Sequence, residues 1–176
     1  MNTTGDVIQG VYDVITVWQP WATLIAEELK PWEFRGWAPP VDLIGRRLVI
    51  HAGKRRVHLE ELKGLLYKLE RGGDEAKSTG LINRERCITL IERWIVAPLA
   101  LPLSSLICVA TVGQPIRNQD LASALGIPAI INDSDRSEHS NWGWPLSNIE
   151  KFKPFVPATG QRGLWKWTAP RSPLSL

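Results

Sequence analysis

Short β-branched runs set among helical stretches, with no regular strand–helix alternation, predict an α+β fold: a small, partly closed β-barrel decorated by helices. Three observations carry that expectation. Strand-like runs gather toward the two ends of the chain, and the segment between them has helical periodicity. Thirteen Pro and fourteen Gly in 176 residues require many turns and exclude a simple helix bundle. Apolar residues at 44% and charged residues at 22% are enough for a packed core and exclude wholesale disorder. The length suits one domain over 1–170, with helices inserted over 57–98 and a frayed tail at 171–176.

The elements follow in order. Residues 14–18 are a β-branched run and read as a strand, ended by Gln19-Pro20. Pro20 suits the first position of a helix over 21–29, which must stop before Pro31 because a residue preceding proline avoids helical backbone. A second short strand covers 32–35, turn residues follow at 37–40, and Gly45 precedes a third strand at 47–52. Leu59, Leu62, Leu66 and Leu69 recur at three- and four-residue steps, the mark of an amphipathic helix over 57–70. A polar loop at 71–80 leads to a second helix over 84–95, with Cys87, Ile88, Ile91, Trp94 and Ile95 on one stripe and Pro98 closing it. The run 106–112 is the longest apolar strand. A short helix at 118–125 and a long loop at 127–140 precede late strands at 142–146 and 164–167, which are kept apart by Pro154, Pro157 and Gly160.

Charge and cysteine usage narrow the class. Lys and Arg exceed Asp and Glu by 21 to 18, giving +3 and a pI near 9.0, which permits a nucleic-acid partner without requiring one. Cys87 and Cys108 lie far apart in apolar runs and read as buried reduced thiols. The first residues lack the charged start and apolar run of a signal peptide, and no apolar stretch approaches a bilayer span. The expectation is a cytoplasmic protein with no membrane partner. Nine Trp against two Tyr and three Phe suggest a stacking site as well as a core.

The densest set of chemical groups is Trp18-Gln19-Pro20-Trp21, followed by Lys30-Pro31-Trp32-Glu33-Phe34-Arg35. Strand alternation sends Trp32 and Phe34 to one face and Glu33 and Arg35 to the other. Lys30 and Gln19 then lie at the two ends of the preceding helix, so Gln19, Lys30, Glu33 and Arg35 can line one polar cleft against apolar walls. The same spacing also fits a surface ion pair of small energetic weight.

These segments, with Gly45-Arg46-Arg47-Leu48-Val49-Ile50-His51-Ala52-Gly53-Lys54, resemble the ASCH domain (activating signal cointegrator homology), a family with a PUA-like β-barrel. Its signature, G-x-K-x-x-[ET]-x-R after the first helix, is matched at Lys30, Glu33 and Arg35, and Glu28 stands where the family usually has Gly. The late stretches Trp142-Gly143-Trp144-Pro145-Leu146 and Gly160-Gln161-Arg162-Gly163-Leu164-Trp165 are similar to the family's last strands, whereas the helices from 57 to 98 fall outside the resemblance. The resemblance implies a cleft at Lys30, Glu33 and Arg35 for RNA, single-stranded nucleic acid or a nucleotide-like small molecule. Some members are amidohydrolases on acylated cytidine that use a Lys beside a Thr nucleophile. Here Glu33 occupies that Thr position, and a carboxylate does not replace a hydroxyl nucleophile. Another member is a metal-dependent ribonuclease.

Around the cleft, Arg46, Arg47, Lys54, Arg55 and Arg56 form a basic run without an acid from 45 to 58, read either as a phosphate-facing rim or as a solvated strand end. Trp142 and Trp144 share one strand face, as do Trp165 and Trp167. Two of the four are expected in the core, and Trp144 is counted among the ligand contacts together with His51 and Lys54. His51 resembles the family's Ile-His-Ala motif, although a lone His at a strand end is also an ordinary hydrogen-bonded residue. The loop at 132–139 has oxygen ligands for a hard cation and equally reads as a solvated loop. No zinc spacing or phosphate-cradling Gly loop is present. The leading reading is RNA or modified-nucleoside binding without a cofactor or bound metal. The alternative is a hydrolase in which Lys30 and Glu33 form the acid–base pair, with a divalent metal if it is a nuclease. A third reading, a protein-interaction module, would dock through the inserted helices.

Overall fold

In a computed structural model, described for residues 10–127, 131 and 140–170, seven strands and five α-helices form one α+β unit. The strands are β1 (Val11–Val17), β2 (Trp32–Arg35), β3 (Arg47–Ala52), β4 (Ser105–Val112), β5 (Ile116–Arg117), β6 (Trp142–Pro157) and β7 (Leu164–Thr168). The helices are α1 (Trp21–Ala26), α2 (Leu59–Arg71), α3 (Gly73–Lys77), α4 (Arg84–Val96) and α5 (Asn118–Ala124). Strand order is β2-β6-β4-β3-β1-β7, with β5 paired on β6. β1 and β3 run parallel, joined through α1 and β2, while the other pairs are antiparallel.

The predicted barrel closure is not made by strand pairing: among the described residues the sheet is mixed and open, with β2 and β7 as its edges. Its curl comes from β6. Residues 142–145 of β6 pair with β2, and its remainder pairs with β4 through two register shifts. Bulges of this kind bend a strand and let it serve two sheet segments. The sequence predicts an end to this strand at 146, with Pro154, Pro157 and Gly160 separating it from the next, since proline argues against a central strand. The proline positions are instead absorbed where the ladder is irregular or ends.

Strand alternation sorts the apolar side chains to two faces. Ile15, Ile50, Cys108, Ala110 and Trp144 pack on one side with α1, and Val14, Val49, Val109, Phe152 and Trp165 on the other. α2 and α4 bury Leu62, Leu65, Leu69, Cys87, Ile91 and Trp94 together with Leu24 and Leu29 at the end of α1. The helical segment thus supports the helix that carries the site. The 71–80 stretch, expected as loop, contains the short α3, which the two adjacent glycines obscured. No helix among the described residues is long and apolar enough to cross a membrane.

Candidate functional site

The site is built where α1 ends. The helix stops at Ala26, three residues earlier than its apolar pattern suggests. Leu29 N donates to Leu24 O at 2.9 Å and Glu28 N to Ile25 O at 2.9 Å, while Glu28 takes left-handed backbone at φ 59°. This is a Schellman termination, with Leu24 and Leu29 as its apolar contact. It turns the chain so that Lys30, 1% exposed, points inward rather than into solvent.

Lys30, Glu33 and Arg35 then converge. Lys30 Nζ donates to Glu33 Oε2 at 3.2 Å and to the Trp32 carbonyl, and lies 5.0 Å from the Phe34 ring centroid. Arg35 Nε donates to Glu33 Oε1 at 2.9 Å, and Arg35 Nη2 reaches the same oxygen at 2.7 Å. Both carboxylate oxygens of Glu33 are therefore occupied by cations. The exposures of the three side chains are 0% for Lys30, 4% for Glu33 and 23% for Arg35, so the guanidinium is the part of the triad that meets solvent. Arg35 Nη2 also donates to Thr16 O at 2.8 Å. Because β2 is one edge of the sheet and β1 lies next to the other, this bond spans the opening that strand pairing leaves. Thr16 is fixed in turn: its Oγ1 donates to Gln161 O at 3.0 Å and accepts from Trp165 Nε1 at 3.2 Å.

The other expected site residues divide sharply. Gln19 is buried, its Nε2 donating to Pro102 O at 2.8 Å and its Oε1 accepting from Thr23 N at 3.1 Å. It braces the first turn of α1 and has no face toward a ligand. Trp144 is fully buried beneath Trp37, edge to face at 4.8 Å, with its Nε1 donating to Trp37 O. Expected as a ligand contact, it belongs to the core, because the strand face it occupies is covered by α1. His51 is 1% exposed at the end of β3, with Nε2 3.0 Å from Ala158 O and Nδ1 without a partner among the described residues. Burial holds its pKa below the ordinary histidine value, against the opposing effect of the Ala158 hydrogen bond.

The basic run does not form one rim. Arg46 and Arg47 stand at the start of β3, and Lys54, Arg55 and Arg56 beyond its end, separated by five strand steps of about 3.3 Å each. The site lies at the second end, since Thr16 pairs with His51 in the parallel register. Arg47 is engaged far from it, with Nη2 2.6 Å from Glu150 Oε1 and Nη1 donating to Asn148 O at 2.7 Å. Lys54 and Arg56 are exposed near the site. Trp18, in the densest set of chemical groups but outside the expected ligand contacts, is 55% exposed, and Trp37, expected as turn material, is 39% exposed; they follow Thr16 and Arg35 by two residues each. Period-two alternation carried beyond Val17 was the available signal for Trp18. Among the described residues no group of three His, Cys, Asp or Glu side chains could hold a metal ion, and the 132–139 stretch lies outside the described residues.

The ASCH domain family matches residues 15–124, a span holding α1, the triad and β3. The chain belongs to the ASCH domain family. The matched span includes the helices from 57 to 98 and ends before β6. The residues whose spacing resembles the family signature, Lys30, Glu33 and Arg35, are the triad just described, and Glu28 adopts the left-handed backbone that glycine takes most easily. Two solved structures are similar: ASCH from Zymomonas mobilis and a mutant of it, each 14% identical over 91% of this chain and 88% and 89% of theirs, with TM-scores of 0.48. No curated protein matches the sequence.

Proposed function

We propose that this ASCH domain binds RNA, as a single strand or a nucleotide-like fragment, at the solvent face of Arg35. The observation that carries the reading is the asymmetry of the triad. Lys30 and Glu33 are interior and bonded to one another, whereas Arg35 is anchored through Nε and Nη2 and has Nη1 without a hydrogen bond among the described residues. A guanidinium held on two sides loses little freedom when its remaining edge engages a phosphate or a base carbonyl. Exposed Lys54 and Arg56 add sequence-independent attraction to the same end of the sheet. Glu33 acts in this reading as the positioning residue that orients Arg35, rather than as an acceptor for a base edge. The reading needs neither cofactor nor metal.

The test is fluorescence anisotropy of a labelled six-nucleotide single-stranded RNA. Arg35→Ala weakens binding of every sequence tested by about tenfold or more, the usual range for a lost charge-assisted hydrogen bond. Arg35→Lys, which keeps the charge and loses the fork, falls between. Unchanged affinity in Arg35→Ala overturns the proposal. Cleavage of the RNA on addition of magnesium or manganese, lost in Lys30→Ala, would select the hydrolase instead.

A further inference from the structure

Arg55 does not stand as a free cation beside the cleft. Its Nη1 donates to Glu61 Oε2 at 3.0 Å and its Nη2 pairs with Glu61 Oε1, a two-point clamp between guanidinium and carboxylate. Glu61 is itself fixed, because its Oε2 also accepts from His58 N at 3.0 Å at the start of α2. The guanidinium so held lies over the Trp18 ring, with Cζ 4.5 Å from the centroid. On the backbone side the indole meets Gly53, where a Cβ would come within 3.1 Å of Trp18 Cδ1 and 3.3 Å of Thr16 Cγ2. Gly53 therefore lets the ring lie close to the chain at the point where its N donates to Val17 O at 2.9 Å. Trp18 remains 55% exposed despite these two restraints.

An indole this exposed is normally costly, and here it is also immobilised by an ion pair that fixes its neighbour. From this arrangement we infer that Trp18 is a preorganised stacking plate for one unpaired nucleobase, and that Arg55 is a positioning residue for the plate and makes no phosphate contact. The inference rests on the RNA-binding reading and deepens it, since a base can lie on Trp18 only when it is not stacked and paired inside a duplex. Stacking on a side chain tolerates every base, because each has a π-face. The ligand class is therefore single-stranded RNA of mixed sequence, with Arg35 two residues from Trp37 and bonded to Thr16 at the opposite side of the same opening. Charge bookkeeping separates Arg55 from its neighbours. Lys54 and Arg56 have no acidic partner among the described residues, whereas Arg55 is neutralised by Glu61.

The experiment compares three labelled probes: a six-nucleotide single-stranded RNA, the same strand annealed to its complement, and an abasic ribose-phosphate strand of equal length. Wild type binds the first more tightly than the other two. Trp18→Ala weakens the base-bearing strand by roughly tenfold to a hundredfold and leaves the abasic strand unchanged, and Trp18→Phe restores most of the loss. Arg55→Gln weakens the base-bearing strand several-fold without changing the dependence of log affinity on log salt, whereas Lys54→Gln lowers that slope by about 0.7. Equal binding of base-bearing and abasic strands, with Trp18→Ala silent and Arg35→Ala still defective, overturns this inference alone. A slope change in Arg55→Gln matching that of Lys54→Gln also overturns it. No binding of any probe by wild type overturns both readings.

Discussion

His51 shows how a buried titratable side chain couples this fold to pH. The imidazole gives one nitrogen to Ala158 O, and its Nδ1 faces Gly160 so closely that a methyl group there would sit 2.7 Å from it. Burial disfavours the charged ring, and a proton on Nδ1 would find no acceptor among the described residues, so the folded state favours the neutral form and its pKa lies below the ordinary 6.5. In the unfolded chain the same residue titrates near its ordinary value. Above that value both states hold a neutral ring and His51 adds no pH dependence. As pH falls below it, the unfolded state takes up the proton first, and stability declines until the folded pKa is reached, with a limiting slope of about 1.4 kcal/mol per pH unit. Urea unfolding of wild type and His51→Gln between pH 7.5 and 5 therefore gives curves that converge on acidification, with wild type losing the more stability. Parallel curves would show that His51 does not contribute. Cys87 and Cys108 behave as the sequence suggested: both are free and buried, and burial raises the Cys87 thiol to about 11 and the Cys108 thiol higher still, so neither is a nucleophile at neutral pH.

At the scale of an element, the end of α1 carries a sequence choice against the local geometry. Glu28 occupies the left-handed position of a Schellman turn, which costs a non-glycine residue about 1–2 kcal/mol. Glycine there would relieve that strain while adding freedom to the unfolded chain. Glu28→Gly is accordingly more stable than wild type by about 0.5–1 kcal/mol in urea unfolding, with RNA affinity unchanged because Lys30 keeps its direction. A destabilised variant would mean that the Glu28 side chain makes a contribution larger than the strain. Helix and strand identities were legible wherever periodicity was strong: β2 and β3 have the expected bounds, and α2, α4 and α5 lie within two residues of theirs. β6 was not, because its prolines signal breaks whereas pairing on two partners sustains one bent strand. β5 has two residues and offers no period to read.

For the whole molecule, the open sheet and the position of the site are one fact. Residues from β1, β2, the end of β3 and the β6–β7 connection meet at the opening that Arg35 bridges, and α1 closes it from one side. The sequence contained the triad because its members lie within six positions, on a strand whose alternation is visible. It could not show that Gln19 and Trp144 are consumed by the core, since their partners Pro102 and Trp37 are distant in the chain. Nor could it show that a basic run contiguous in sequence is split by the length of β3. That split makes a sharp expectation for RNA binding. The two ends of β3 are separated by about 17 Å, roughly twice the screening length at physiological salt, so Arg46 and Arg47 are electrostatically remote from a short strand seated at Arg35. Arg47 is further committed to Glu150 and Asn148. Neutralising Lys54 and Arg56 together should lower the salt slope for the six-nucleotide RNA by about 1.4, two contacts at ~0.7 each on single strands. Neutralising Arg46 and Arg47 should leave the slope within error, with Arg47→Gln showing its effect in thermal unfolding instead. If the second pair flattens the slope as much as the first, the RNA runs the length of β3, and the site extends across the sheet rather than lying at its open end.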